Sequence, residues 1–176
     1  MPRANNHFML QTDVVGTCDT VYTSTDEDVV EEGFAAVCVP GRLEVIGRHP
    51  LVLVDGAHNA AGMMVLARAL SDEFATDGTV TAVVGMLSGR DPTAMLEALM
   101  SAGVRAVVAC APVSPRALPA GQVAEAAFAL GMSVAVADSP TEAVHLAVEK
   151  SAPEDLVVVC GSLYVVADAR QALLRP

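Results

Sequence analysis

The densest cluster of reactive side chains is Asp55-Gly56-Ala57-His58-Asn59, which sets an acid, an imidazole and an amide around a flexible glycine. A carboxylate there can accept hydrogen bonds from ribose hydroxyls. Gly56 lets backbone approach a ligand, and His58 or Asn59 can bond to a base edge or a carboxylate. Asp55 or Asn59 also has a purely local use, as the cap of a following helix. The conjunction of groups in one turn favours the ligand reading. A second cluster, Gly161-Ser162, offers amides and a hydroxyl to an anion at a helix start, although Ser162 alone reads as an ordinary cap. Asp91, ahead of Pro92, reads as a helix cap. Arg116 is either a surface charge or a contact to an acidic ligand.

Other constellations are weaker. His7, His49 and His145 stand alone, and no metal-ligand spacing includes them. A triad of Ser162, His58 and Asp55 lacks the G-x-S-x-G elbow that presents a nucleophilic serine, which argues against a hydrolase. The sequence contains neither G-x-G-x-x-G nor G-x-x-x-x-G-K-[ST]. The first absence argues against a nucleotide-dependent oxidoreductase. Together they mean that any nucleotide must be held partly by other residues.

The clusters fall where short β-branched runs meet Ala/Leu-rich helical stretches, an alternation that predicts a layered α/β sheet. Strands are expected at Leu51 to Val54, Thr79 to Val84, Val104 to Cys110, Ser133 to Val136 and Leu156 to Cys160. Their continuous apolar runs suit parallel strands covered on both faces. Helices are expected near Ala61 to Phe74, Pro92 to Met100, Ala120 to Leu130, Thr141 to Glu149 and Leu163 to Leu173. Leu43 to Val54, broken by Gly47-Arg48-His49-Pro50, predicts a hairpin whose first arm is an edge strand, so the sheet is expected to be mixed. Ser24 and Glu27 form a capping box for an acidic helix ending near Ala36, before Pro40 and Gly41. The expected organisation is a tail and linker helix over residues 1–39 and one domain over residues 40–176.

A length of 176 residues supports a single core. Mean hydropathy is +0.47, yet every apolar run is interrupted well short of the ~18 residues of a spanning helix. With 10 basic against 21 acidic residues, a net charge of −11 disfavours nucleic acid and anionic membrane surfaces. No targeting segment is evident, so the cytoplasm is the expected compartment. Cys18, Cys38, Cys110 and Cys160 have no paired spacing and read as free thiols, the last two within the core.

Pro40-Gly41-Arg42-Leu43-Glu44-Val45 followed by Val54-Asp55-Gly56-Ala57-His58-Asn59 resembles the C-terminal domain of folylpolyglutamate synthase / dihydrofolate synthase, within the Mur ligase superfamily. Gly85-Met86-Leu87-Ser88 with Asp91, Ser114-Pro115-Arg116-Ala117 and Gly161-Ser162-Leu163-Tyr164 follow in the order of that family's later motifs. The resemblance implies a Rossmann-like three-layer sandwich with a mostly parallel sheet. It also implies an ATP-dependent ligase in which a folate or dihydropteroate carboxylate is phosphorylated and the amine of glutamate attacks the acyl phosphate. Carried over, Arg42 and Asp55 contact ATP, with Asn59 beside them. His58 and Ser162 lie around the incoming glutamate, His58 also near the reacting centre. The family's phosphate loop, magnesium ligands and modified lysine belong to its ATPase domain, so ATP and Mg are expected to be held mainly by that domain, in cis or in trans. The isolated chain is then expected to be inactive. Ala60 replaces the family's usual Pro, and Asn5 or Asn6 lies near the place of another ATP-contacting Asn. The alternative is a stand-alone, non-catalytic binding or regulatory module with the same fold.

Overall fold

The structure, a computed structural model, describes residues 39–174. The expected helix from Ser24 to Ala36, and the expectations for Asn5, Asn6, His7, Cys18 and Cys38, lie outside the described residues.

The elements run β1 (Glu44–Arg48), β2 (Leu51–Val54), α1 (Ala60–Glu73), β3 (Val80–Val84), α2 (Pro92–Ser101), β4 (Val104–Ala109), α3 (Ala120–Ala129), β5 (Ser133–Val136), α4 (Pro140–Glu149), β6 (Leu156–Cys160) and α5 (Leu163–Leu174). They form one sheet in the order β1-β2-β6-β3-β4-β5. Every neighbouring pair is parallel except β1 and β2.

Successive side chains of a strand point to opposite faces, and the buried residues sort accordingly. Leu53, Ala82, Val84 and Val158 join the cluster built with Met63, Leu66 and Leu70 of α1, Leu96 and Leu99 of α2, and Val123 and Ala127 of α3. Val52, Val54, Val83, Val157 and Val159 join the opposite cluster, with Ala143, Val144 and Ala147 of α4 and Val165, Val166 and Ala169 of α5. Both faces of the inner strands are therefore dry, which is why those strands read as unbroken apolar runs. The result is the expected three-layer α/β sandwich with a hairpin edge strand.

Helix starts follow local chemistry. Asn59 caps α1 by accepting from Gly62 N at 2.7 Å. Asp91 caps α2 by accepting from Thr93 N at 3.0 Å and Ala94 N at 3.2 Å, as its position before Pro92 predicts. The hairpin differs from expectation. Gly47 and Arg48 remain in β1, and the turn shrinks to His49-Pro50, joined by a cis peptide bond. A Cβ on Gly47 would lie 2.9 Å from Val52 Cγ2, so only a bare backbone fits in the strand at that point. Cys110 and Cys160 are buried free thiols, and burial pushes the Cys110 thiol up to about 12 and raises that of Cys160. Among the described residues, no helix is long and apolar enough to cross a membrane.

Candidate functional site

The last strand enters the middle of the sheet. β6 lies between β2 and β3, while the chain after β3 moves outward to β4 and β5. The helix after β2 packs on one face and the helix after β6 on the other. The loops leaving the carboxyl ends of β2 and β6 thus diverge at a topological switch point, the place where open α/β sheets take ligands.

These loops carry the residues singled out from the sequence. Asp55 N donates to Val159 O at 2.9 Å and Gly161 N to Ala57 O at 2.8 Å, stitching the 55–57 turn to the end of β6. Asp55 is committed on both oxygens: Oδ2 accepts from Leu43 N at 2.9 Å and Oδ1 from Ala57 N at 2.7 Å. A carboxylate oxygen has two lone pairs, so each can still accept from a ligand hydroxyl. Gly56 N donates to Gly41 O at 2.8 Å. A Cβ on Gly56 would lie 2.5 Å from Leu163 Cδ2 and 3.1 Å from an Arg42 guanidinium nitrogen. Glycine at this position therefore lets the Arg42 loop, the β2 loop and the start of α5 meet.

Arg42 is exposed, and among the described residues its guanidinium has no hydrogen-bond or ion-pair partner. The backbone around it is fixed, because Gly41 and Leu43 are both hydrogen-bonded to the β2 loop and Leu43 holds a left-handed φ of 44°. A cation without a partner on a fixed loop is suited to an anion arriving from outside.

His58 lies with Nδ1 2.8 Å from Gly56 O. A carbonyl can only accept, so Nδ1 carries the hydrogen and Nε2 is left for a ligand. Ser162 is 3% exposed and is the buried polar residue of the described core. Its Oγ accepts from Tyr164 N at 3.3 Å, a long bond for a cap. Asn59 is different, for its Oδ1 already accepts the α1 cap bond from Gly62 N, while its amide nitrogen donates to none of the described residues.

The loop read as the Asp91 cap of α2 and the loop left open at Arg116 join each other. Ser88 N donates to Arg116 O at 2.7 Å and Leu118 N to Met86 O at 2.8 Å, a short antiparallel contact beyond β3 and β4. Arg116 is exposed there. Sequence reasoning missed Glu44 and Arg170. Arg170 Nε donates to Glu44 Oε2 at 2.7 Å and its terminal nitrogen to Oε1 at 2.9 Å, a bidentate pair across 126 residues of chain.

The family model of the Mur ligase glutamate-ligase domain matches residues 41–163, which run from the Arg42 loop to the start of α5. The chain belongs to that family. Within it, the chain is similar to folylpolyglutamate synthase of Lacticaseibacillus casei, at 33% identity over 97% of this chain and 38% of the relative. It is also similar to the crystal structure of the bifunctional folylpolyglutamate synthase/dihydrofolate synthase from Yersinia pestis complexed with AMPPNP and Mn ion. That match has a TM-score of 0.77 and 31% identity, covering 89% of this chain and 36% of the other. A structure of such a bifunctional enzyme with Mn, AMPPNP and L-glutamate bound gives the same TM-score of 0.77 and 31% identity over 89% of this chain and 36% of that one. The glutamate-ligase domain described here thus spans little more than a third of those relatives.

Proposed function

We propose that this chain is the C-terminal half of the active site of an ATP-dependent folate-type ligase, which joins glutamate to a folate or dihydropteroate carboxylate through an acyl phosphate. The observation that carries this reading is the Arg42 guanidinium, without a partner among the described residues, on a loop whose backbone is tied to the Asp55-Gly56 turn at the switch point. Support comes from relatives named for that reaction and from a similar enzyme with AMPPNP and L-glutamate bound. The partner is an ATPase domain in cis or in trans, and the compartment is the cytoplasm. Residues 1–39 would link the two domains.

In this reading Arg42 neutralises negative charge on the nucleotide while Asp55 accepts from ribose hydroxyls. The amides at the start of α5, with Ser162 Oγ, hold a carboxylate of glutamate. His58 Nε2 orients the glutamate amine or accepts its proton as the amide bond forms. Among the described residues, no group of three or more His, Cys, Asp or Glu could hold a metal ion. The family resemblance assigns the divalent ion to the ATPase domain, and no step here runs through it.

The test has two arms. The isolated chain should release no ADP with folate, ATP and glutamate, and measurable release from pure protein would refute the division of labour. In the enzyme with its ATPase domain, Arg42→Ala should lower kcat/KM for ATP by at least ~10-fold, equivalent to about 1.4 kcal/mol. Ser162→Ala and His58→Ala should raise KM for glutamate. Normal saturation in all three variants would leave a binding module that does not take part in the reaction.

A further inference from the structure

Ser162, Val166 and Arg170 recur every four residues and so form one stripe along α5. The stripe runs about 12 Å, taking 1.5 Å per residue. At one end is the residue placed beside glutamate. At the other, Arg170 holds Glu44 through two parallel hydrogen bonds, and Glu44 Oε2 also accepts from Gly41 N at 2.7 Å. Between them, Val166 Cγ1 lies 2.9 Å from where a Cβ on Gly41 would stand. Gly41, at φ 75°, is thereby gripped at its amide by Glu44, at its carbonyl by Gly56 N and at its α-carbon by Val166. The next residue is Arg42.

We propose that Glu44 and Arg170 are positioning residues for Arg42. The pair fixes the loop carrying that guanidinium to the same helix that Ser162 immediately precedes, so that the nucleotide and glutamate sides of the site share one rigid frame. The inference rests on the reading of Arg42 as a nucleotide contact. A salt bridge at an exposed surface contributes little, but this one is bidentate, with the Glu44 side chain 13% exposed, and its carboxylate also fixes a backbone amide. Arg170 touches no reacting group in this arrangement. Its hold on the Arg42 loop runs through Glu44 and Gly41.

The test compares Glu44→Ala, Glu44→Gln, Arg170→Ala and Arg42→Ala. In the 176-residue chain, Glu44→Ala and Arg170→Ala should speed amide hydrogen exchange at Gly41, Leu43 and Gly56 by about tenfold or more while β3 and β4 amides keep their rates. Glu44→Gln should fall between, since an amide oxygen can accept from Gly41 N but cannot bind a guanidinium as a carboxylate does. In the enzyme with its ATPase domain, the two alanine variants should raise KM for ATP by about tenfold with kcat within about twofold. Unchanged exchange at the three amides, or equal acceleration in β3 and β4, would overturn the proposal. So would a raised KM for ATP in Arg42→Ala with wild-type KM in both alanine variants. If Arg42→Ala itself leaves KM for ATP unchanged, the nucleotide reading of Arg42 fails, and the exchange rates still decide whether the pair holds the loop.

Discussion

Gly161 follows β6 directly, beside Gly85 at the end of β3, and replacing it with alanine separates two effects that are usually merged. Its φ is 96°, so any side chain is conformationally disfavoured, by roughly 1–2 kcal/mol. A Cβ there would also lie 2.5 Å from Gly85 O, 3.2 Å from Gly85 C and 3.3 Å from Gly85 N. All three are backbone atoms, and none can swing aside as a side-chain tip would. Gly85 cannot retreat either, because its own missing Cβ is filled by Cys110 O and Val165 Cγ2, each at 2.8 Å. Overpacking of this kind adds roughly 1–3 kcal/mol, for a total near 3 kcal/mol. Gly89 supplies the control, with a φ of 83° and nothing within 4 Å of the built Cβ, so Gly89→Ala carries only the conformational cost. At about 3–5 °C per kcal/mol for a domain of this size, thermal unfolding followed by circular dichroism should show Gly161→Ala melting about 10 °C lower and Gly89→Ala about 4 °C lower. Equal shifts in the two variants would refute the argument that the approach of the two strand ends, and not backbone conformation, makes glycine necessary at position 161.

Two further predictions concern stability. Asp91→Ala removes the two cap bonds of α2 and should cost ~1 kcal/mol in a denaturant melt, with nucleotide and glutamate kinetics unchanged, because this cap lies outside the site loops. Acid should destabilise the domain through Glu44, whose pKa is held below the usual 4.5 first by the Arg170 hydrogen bonds, and through Asp155, held below 3.8 first by the Thr79 amide. A carboxylate with a lowered folded-state pKa contributes stability that is complete above its ordinary value and is lost as pH falls through the lowered one. Melting temperatures should therefore be level near neutrality and fall below about pH 4.5, and less steeply in Arg170→Ala; an identical acid slope in that variant would remove Glu44 from the account.

The strands and helices were legible from the sequence because period and burial go together here. A strand such as Leu156–Cys160, with both faces covered, has no polar position to interrupt it. Boundaries moved by a residue or so where a cap or a missing side chain decided them, as at Asn59 and Gly47. Within the candidate site, Asp55, His58 and Ser162 were singled out by residue type and placement at strand ends, whereas Arg42, which precedes β1, was pointed to only by the family resemblance. Asn59 makes the cap bond that its position also allowed. Nothing local announced the Glu44–Arg170 pair, since its members are separated by 126 residues and each alone looks like an ordinary surface charge. The strand order was equally hidden. Alternation shows that strands are parallel and covered, but where the last one inserts depends on packing that no short window contains.

That insertion has a consequence for how the chain is made. β2 and β3 share no edge; each pairs with β6, with Leu51 and Val80 both set against Leu156. During synthesis the β1–β2 hairpin and the β3-β4-β5 segment can each form, but as two separate pieces with exposed pairing edges, until residues 156–160 emerge and slot between them. Completion of the sheet is thus deferred until residues 156–160 have been made, and the two loops that form the candidate site are joined only at that moment. A ribosome that stops short of Leu156 would release a chain with most of its apolar residues made and nowhere to bury them, a substrate for chaperones and proteases. The site and the fold are in this sense finished by the same five residues.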